Sequence, residues 1–127
     1  MDDVTRFMQT QGLHPAPEHF LGSDFLAGQR IETPRFQLVY RQEGERLILC
    51  DFAARESDGQ AVLALMTLLR RLTRSVPLLR YIDAMILPAS HDRQLDLARR
   101  RLGELMLAEG AQPVRLDDEL WLRYRCH

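Results

Sequence analysis

The chain has 127 residues, 46% of them apolar, and a formal net charge of −1. That length supplies one core and not two, and no apolar run approaches the ~18 residues a membrane span needs, so no membrane insertion is expected. A near-neutral balance gives no drive toward nucleic acid. The two cysteines, Cys50 and Cys126, lack the further ligands or oxidising setting of a metal site or disulfide and are expected as free thiols. All seventeen basic residues are arginine, with no lysine and no asparagine, so arginine carries every cationic duty on the surface.

Met1-Asp2-Asp3-Val4 is acidic and lacks a signal peptide's apolar middle, which leads to the expectation of a cytoplasmic chain. Asp2 to Gln11 places Val4, Phe7 and Met8 on one face of a short amphipathic helix whose small stripe must pack on the body or on a partner. Leu13 to Gly28 is punctuated by Pro15, Pro17 and Gly22 and is expected as a wrapping connection anchored by Phe20 and Phe25. The layout is thus a single domain over 1–127, with helix and connection in 1–30 and a sheet-and-helix body in 31–127.

A short strand near Ile31 opens the body. Arg35–Arg41 and Arg46–Phe52 flank Gln42-Glu43-Gly44-Glu45 and are expected as a hairpin, with Gly44 where a positive φ is easiest. Simple alternation puts Leu47, Leu49 and Asp51 opposite Ile48, Cys50 and Phe52. A strand apolar on both faces belongs inside a sheet. Asp58 is placed to cap a helix from Gly59 to Arg74, with Val62, Leu65, Met66, Leu69 and Leu72 as a stripe that Leu63 and Leu68 widen. Leu78–Leu87 has strand composition and is closed by Pro88; the intervening helix makes it parallel to Arg46–Phe52. Ser90 is the expected cap of a helix carrying Leu95, Ala98, Leu102, Leu105 and Met106, stopped by Gly110. Val114–Leu116 and Leu120–Arg125 alternate around Asp117-Asp118-Glu119 as a last hairpin. The expected fold class is α/β (α+β): a mixed, mostly antiparallel sheet of 5–6 strands, in the order β-β-α-β-α-β-β after the N-terminal helix.

Chemistry is sparse. His14, His19, His91 and His127 have no partner at metal-ligand spacing. Ser23, Ser57, Ser75 and Ser90 lack a nucleophile elbow. Asp51 and Asp83 sit in apolar strands, where a carboxylate is either a catalytic acid or base or the partner of an arginine at the sheet. Arg70, Arg71 and Arg74, and the run Arg99 to Arg101, either grip an anion or form solvated faces. Trp121 lies on the strand face opposite Leu120, Leu122 and Tyr124, alongside Arg123 and Arg125. A tryptophan among arginines has the composition of an interface anchor; the alternative is a Trp121 packed under the N-terminal helix.

From Arg46 to Arg125 the order of elements resembles the back half of the GCN5-related N-acetyltransferase fold. That resemblance implies a loop holding the pyrophosphate of coenzyme A on backbone N–H groups, here Glu56-Ser57-Asp58-Gly59-Gln60-Ala61. Gly59 and Ala61 fit; Glu56 and Asp58 place negative charge beside the phosphate seat, and Met106 stands where that family carries a tyrosine acid. The scaffold is kept and the chemistry lost, so no cofactor is expected; coenzyme A at Gly59, Gln60 and Ala61 belongs to the alternative acyltransferase reading. The stretches Arg46-Leu47-Ile48-Leu49, Tyr81 to Pro88 and Gly110 to Tyr124 resemble the LcrR-type (low-calcium-response R) regulators of bacterial type III secretion. This second resemblance implies a non-enzymatic cytoplasmic regulator or accessory protein acting through protein contacts, with a secretion-system component as partner or a second copy in a homodimer. The secretion chaperones of the same systems are a neighbouring alternative. The expected contact residues are Trp121, Arg123, Arg125, Val4, Phe7 and Met8.

Overall fold

A computed structural model describes residues 2–19, 23–55 and 59–126, and among these the chain forms three helices and seven strands. The strands, β1 (Ala16–His19), β2 (Leu26–Glu32), β3 (Phe36–Glu43), β4 (Arg46–Ala54), β5 (Tyr81–Ala84), β6 (Gln112–Leu116) and β7 (Glu119–Arg125), make one sheet in the order β1-β2-β3-β4-β5-β7-β6. β4 and β5 are parallel and every other neighbouring pair is antiparallel. The mixed, mostly antiparallel sheet agrees with expectation, but it holds seven strands rather than five or six, the added one preceding the short strand expected near Ile31.

Helix α1 (Asp3–Thr10) is capped by Asp2, whose side chain accepts from the Thr5 N–H at 2.6 Å. It docks onto the sheet through Thr5 Oγ1, 2.9 Å from the Tyr40 hydroxyl, and through the Val4 N–H, which donates to Gln42 Oε1 at 3.1 Å. Val4, Phe7 and Met8, expected as contact residues, are 0%, 6% and 0% exposed and belong to the core. The stripe is just wide enough to seat a short helix, so nothing of it is left for a partner.

The wrapping connection contains an unexpected strand, β1 (Ala16–His19), and runs into β2 (Leu26–Glu32), which is the short strand expected near Ile31 and starts earlier than expected. Pro17 is tolerated because β1 is an edge strand, where a missing N–H costs little. Gly28 lets β2 press on β3: a Cβ there would lie 2.2 Å from the Tyr40 carbonyl oxygen. Phe25 is 66% exposed and anchors nothing, while Phe20 and Gly22 lie outside the described residues.

β3 (Phe36–Glu43) and β4 (Arg46–Ala54) form the expected hairpin. Its register slips at one point: Tyr40 faces Leu49 while Val39 faces Asp51, so Cys50 is the extra residue of a β-bulge. The bulge breaks the simple alternation. Phe52 joins Leu47 and Leu49 in the core, and Asp51 moves to the face of Val39.

Helix α2 (Gln60–Ser75) buries Ala61, Val62, Leu65, Met66, Leu69 and Leu72. Leu63 is 53% exposed and Leu68 half-buried, so the stripe is narrower than expected. The expected Asp58 cap lies outside the described residues. β5 (Tyr81–Ala84) is much shorter than Leu78–Leu87, because strand geometry persists only where β4 and β7 flank it on both sides. Helix α3 (Arg93–Ala108) is capped by Asp92, accepting from the Leu95 N–H at 3.1 Å, and not by Ser90. β6 (Gln112–Leu116) and β7 (Glu119–Arg125) turn through Asp117 and Asp118 at φ 50° and 63°, the geometry of a tight two-residue hairpin. All three helices feed one apolar cluster with Leu38, Tyr40, Leu47 and Ile82. The other face of the sheet carries no described helix.

Candidate functional site

The register of the three central strands builds the site. Across β4, β5 and β7, Arg46, Tyr81 and Arg125 stand in one row, and Ile48, Asp83 and Arg123 in the next on the same face. Asp83 is wholly buried. Its Oδ2 accepts from Arg46 Nε at 2.7 Å and Arg123 Nη2 at 3.0 Å, and its Oδ1 accepts from Arg123 Nε at 2.9 Å. A bidentate guanidinium on one side and a second guanidinium on the other occupy the carboxylate. Hydrogen bonding to Asp83 holds the Arg123 guanidinium above its ordinary pKa, so its charge is permanent.

Aromatic rings extend this ion network. The Arg123 guanidinium lies 4.1 Å from the centre of the Tyr81 ring, Arg125 lies 6.0 Å from the same ring, and Arg46 lies 6.0 Å from Trp121. These are distances at which the ring faces attract cations. Trp121 is half-buried on the helix-free face, opposite Leu122 and Tyr124, and is not covered by α1. Trp121, Arg123 and Arg125 are therefore brought together as expected, while Val4, Phe7 and Met8 are elsewhere, in the core.

Arg46 and Tyr81 belong to the site although sequence reasoning did not name them for it. Asp83, a carboxylate in an apolar strand, required a cation from each flanking strand, and Arg46 and Arg123 are the arginines whose register supplies one. Asp51 follows the same rule, since Arg99 Nη2 donates to its Oδ1 at 3.1 Å.

Comparisons with protein-family models, with curated proteins and with solved structures find no match.

The other expected site lies at the start of α2. Gly59 has φ 84° and precedes α2 without a side-chain cap, and a Cβ on it would lie 3.4 Å from Arg101 Nη1. The cavity between Gly59, Ala61, Gln94 and Arg101 holds about 10 Å³, room for no more than a water, and beside it an open depression of about 290 Å³ lies between Gly59, Leu63, Arg101 and Glu104, with the Glu104 carboxylate in its wall. Glu56, Ser57 and Asp58, whose charge was expected to repel a pyrophosphate, lie outside the described residues. Nearby, β4 and β5 stop pairing after Leu49 and Ala84, although β4 runs on to Ala54. Side chains of α3 bridge the divergence: Arg99 Nη1 donates to the Leu87 carbonyl at 3.3 Å, and Gln94 Nε2 donates to the Ala54 carbonyl at 3.1 Å. Met106, in the place expected of a general acid, is buried in the core.

Burial pushes the Cys126 thiol up to about 11, with the Asp83 charge adding to it, and burial likewise raises Cys50, so neither is poised as a thiolate nucleophile. Among the described residues no group of three or more histidine, cysteine or acidic side chains could hold a metal ion, and no helix is long and apolar enough to cross a membrane.

Proposed function

We propose that this chain is a non-enzymatic protein-contact module, a cytoplasmic regulator or accessory factor of bacterial type III secretion, and that it binds its partner on the helix-free face of the sheet. The secretion assignment rests on the LcrR-type resemblance. The choice of face rests on one observation: Trp121 and Tyr81 are presented there among Arg46, Arg123 and Arg125, with Arg46 and Arg123 held in place by buried Asp83. Large rings and guanidiniums already fixed in position lose little conformational freedom on binding, which favours them as anchors. A face is preferred to an edge, since β1 and β6, the two sheet edges, carry Pro17 and Pro113 and each lacks a donor that an added strand would use.

Replacing Trp121 with alanine tests this. Co-purification from a host carrying the secretion genes, oligomer mass and thermal midpoint are measured together. Loss of the partner or of self-association with the midpoint unchanged supports the face; collapse of folding makes Trp121 a core residue and removes the reading. Micromolar heat on titration with acetyl-coenzyme A would replace it with the acyltransferase alternative.

A further inference from the structure

Beside the aromatic and arginine rows, a cleft of about 490 Å³ runs from the helix-free face around the start of β6 to the end of α3, lined by Glu109, Gln112, Val114, Arg123, Tyr124 and Arg125. We infer that this cleft receives the carboxylates of an acidic peptide segment of the partner protein, with Arg125 as the binding cation; the inference rests on the contact-face reading above and names the chemistry of that contact.

The charges point one way. Around the cleft and the adjoining rows, Arg41, Arg46, Arg123 and Arg125 meet Glu43 and Asp83, and Glu45, which also acts on Arg123, is paired with Arg80, so cations are in excess there in a chain whose net charge is −1. Glu109 is the one acid lining the cleft, and Arg70 pairs with it. Glu119, on the same face of β7, is six residues from Arg125, about 20 Å along a strand. Arg125 is exposed, and among the described residues its one partner is the Tyr81 ring, so its hydrogen-bonding edge is unspent. Asp83 engages Nε and Nη2 of Arg123 and leaves Nη1 without a carboxylate. A planar, ring-backed guanidinium with free donors fits a carboxylate in two-point geometry. Gln112, paired with Arg123 across the hairpin, adds an amide donor at the same wall.

Trp121 reports on the site. It is the single tryptophan of the chain and sits directly across β6 from Val114 of the cleft wall. A short blocked polyglutamate peptide is titrated into the full chain at low salt, with Trp121 fluorescence as the signal. Saturable binding is expected, weakening as salt is raised. Arg125→Gln should weaken it about tenfold or more at an unchanged thermal midpoint, and Arg125→Lys by less. Arg115→Gln, on the other face of the same hairpin, should leave it unchanged. No saturable signal at millimolar peptide, or binding indifferent to Arg125→Gln, overturns the inference. So does tighter binding of an oligodeoxythymidylate with the same Arg125 dependence, which would make the ligand a phosphate backbone. If Trp121→Ala still abolishes partner capture while polyglutamate fails to bind, the contact face stands and only its acidic ligand is lost.

Discussion

The two faces of this sheet exclude water by opposite means. On the helix-covered face, Leu38, Leu47, Leu49, Phe52 and Ile82 meet the stripes of α1, α2 and α3, and the one buried phenol, Tyr40, is satisfied by Thr5. On the other face Val39 and Ile48 are just as buried, at 4% and 3% exposure, with no described helix above them. The side chains at hand to cover them are the long stems of Arg41, Arg46 and Arg123, held down by Asp83 and Glu43. A face closed by aliphatic packing serves stability alone. One closed by ion pairs and rings keeps its polar groups at the surface, where a partner can use them.

The largest effect should come from cutting the knot of the second face. Asp83→Ala leaves two guanidiniums close together with no anion between them, and should cost about 3–5 kcal/mol in urea unfolding. Replacing the whole network with apolar side chains, Asp83→Leu with Arg46→Met and Arg123→Met, should recover most of that stability while abolishing partner binding. If Asp83→Ala costs less than about 1 kcal/mol, as an exposed pair would, the arginines are solvated decoration and the contrast between the faces fails.

Much of this was legible in the residues. Helix stripes, both hairpins and the parallel pair follow from periodicity, Gly44 and connection length, and the grouping of Trp121, Arg123 and Arg125 follows from alternation. β1 was not legible, because Pro15 and Pro17 carry loop signals and only pairing with β2 makes that segment a sheet edge, while β2 was legible only as a short strand near Ile31. The face of Phe52 was hidden by the bulge at Cys50, which depends on the partner strand. Arg46 and Tyr81 entered the site through a register linking strands 35 residues apart, which no local pattern encodes.

Alkali should sharpen the contrast from the covered side. Burial pushes the Tyr40 phenol up to about 12 from its ordinary 10.0. The folded state therefore holds this proton more tightly than the unfolded chain, so its contribution is complete below about pH 10 and is lost as pH rises toward 12. The loss is on the order of 2 kcal/mol. Cys126 and Cys50, also raised, add losses beginning near pH 9, so the comparison belongs in a background carrying both Cys50→Ala and Cys126→Ala. There Tyr40→Phe should cost about 1 kcal/mol at neutral pH, through the missing hydrogen bond to Thr5, and flatten the alkaline limb.

The smallest effect tests how far the covered face extends. Leu63 and Leu65 are neighbours on α2, yet Leu65 is 0% exposed and Leu63 is 53% exposed. A helix turns about 100° per residue, so two positions separate the sheet-facing side from the far side. Leu65→Ala should cost about 2–5 kcal/mol, because a filled position becomes a cavity. Leu63→Gln should stay within about 0.5 kcal/mol, as the side chain already meets water. Urea unfolding of both variants decides it. A Leu63→Gln cost near that of Leu65→Ala would mean that the outer side of α2 is covered in solution, by a second copy of the chain, and melting that depends on protein concentration would identify that cover.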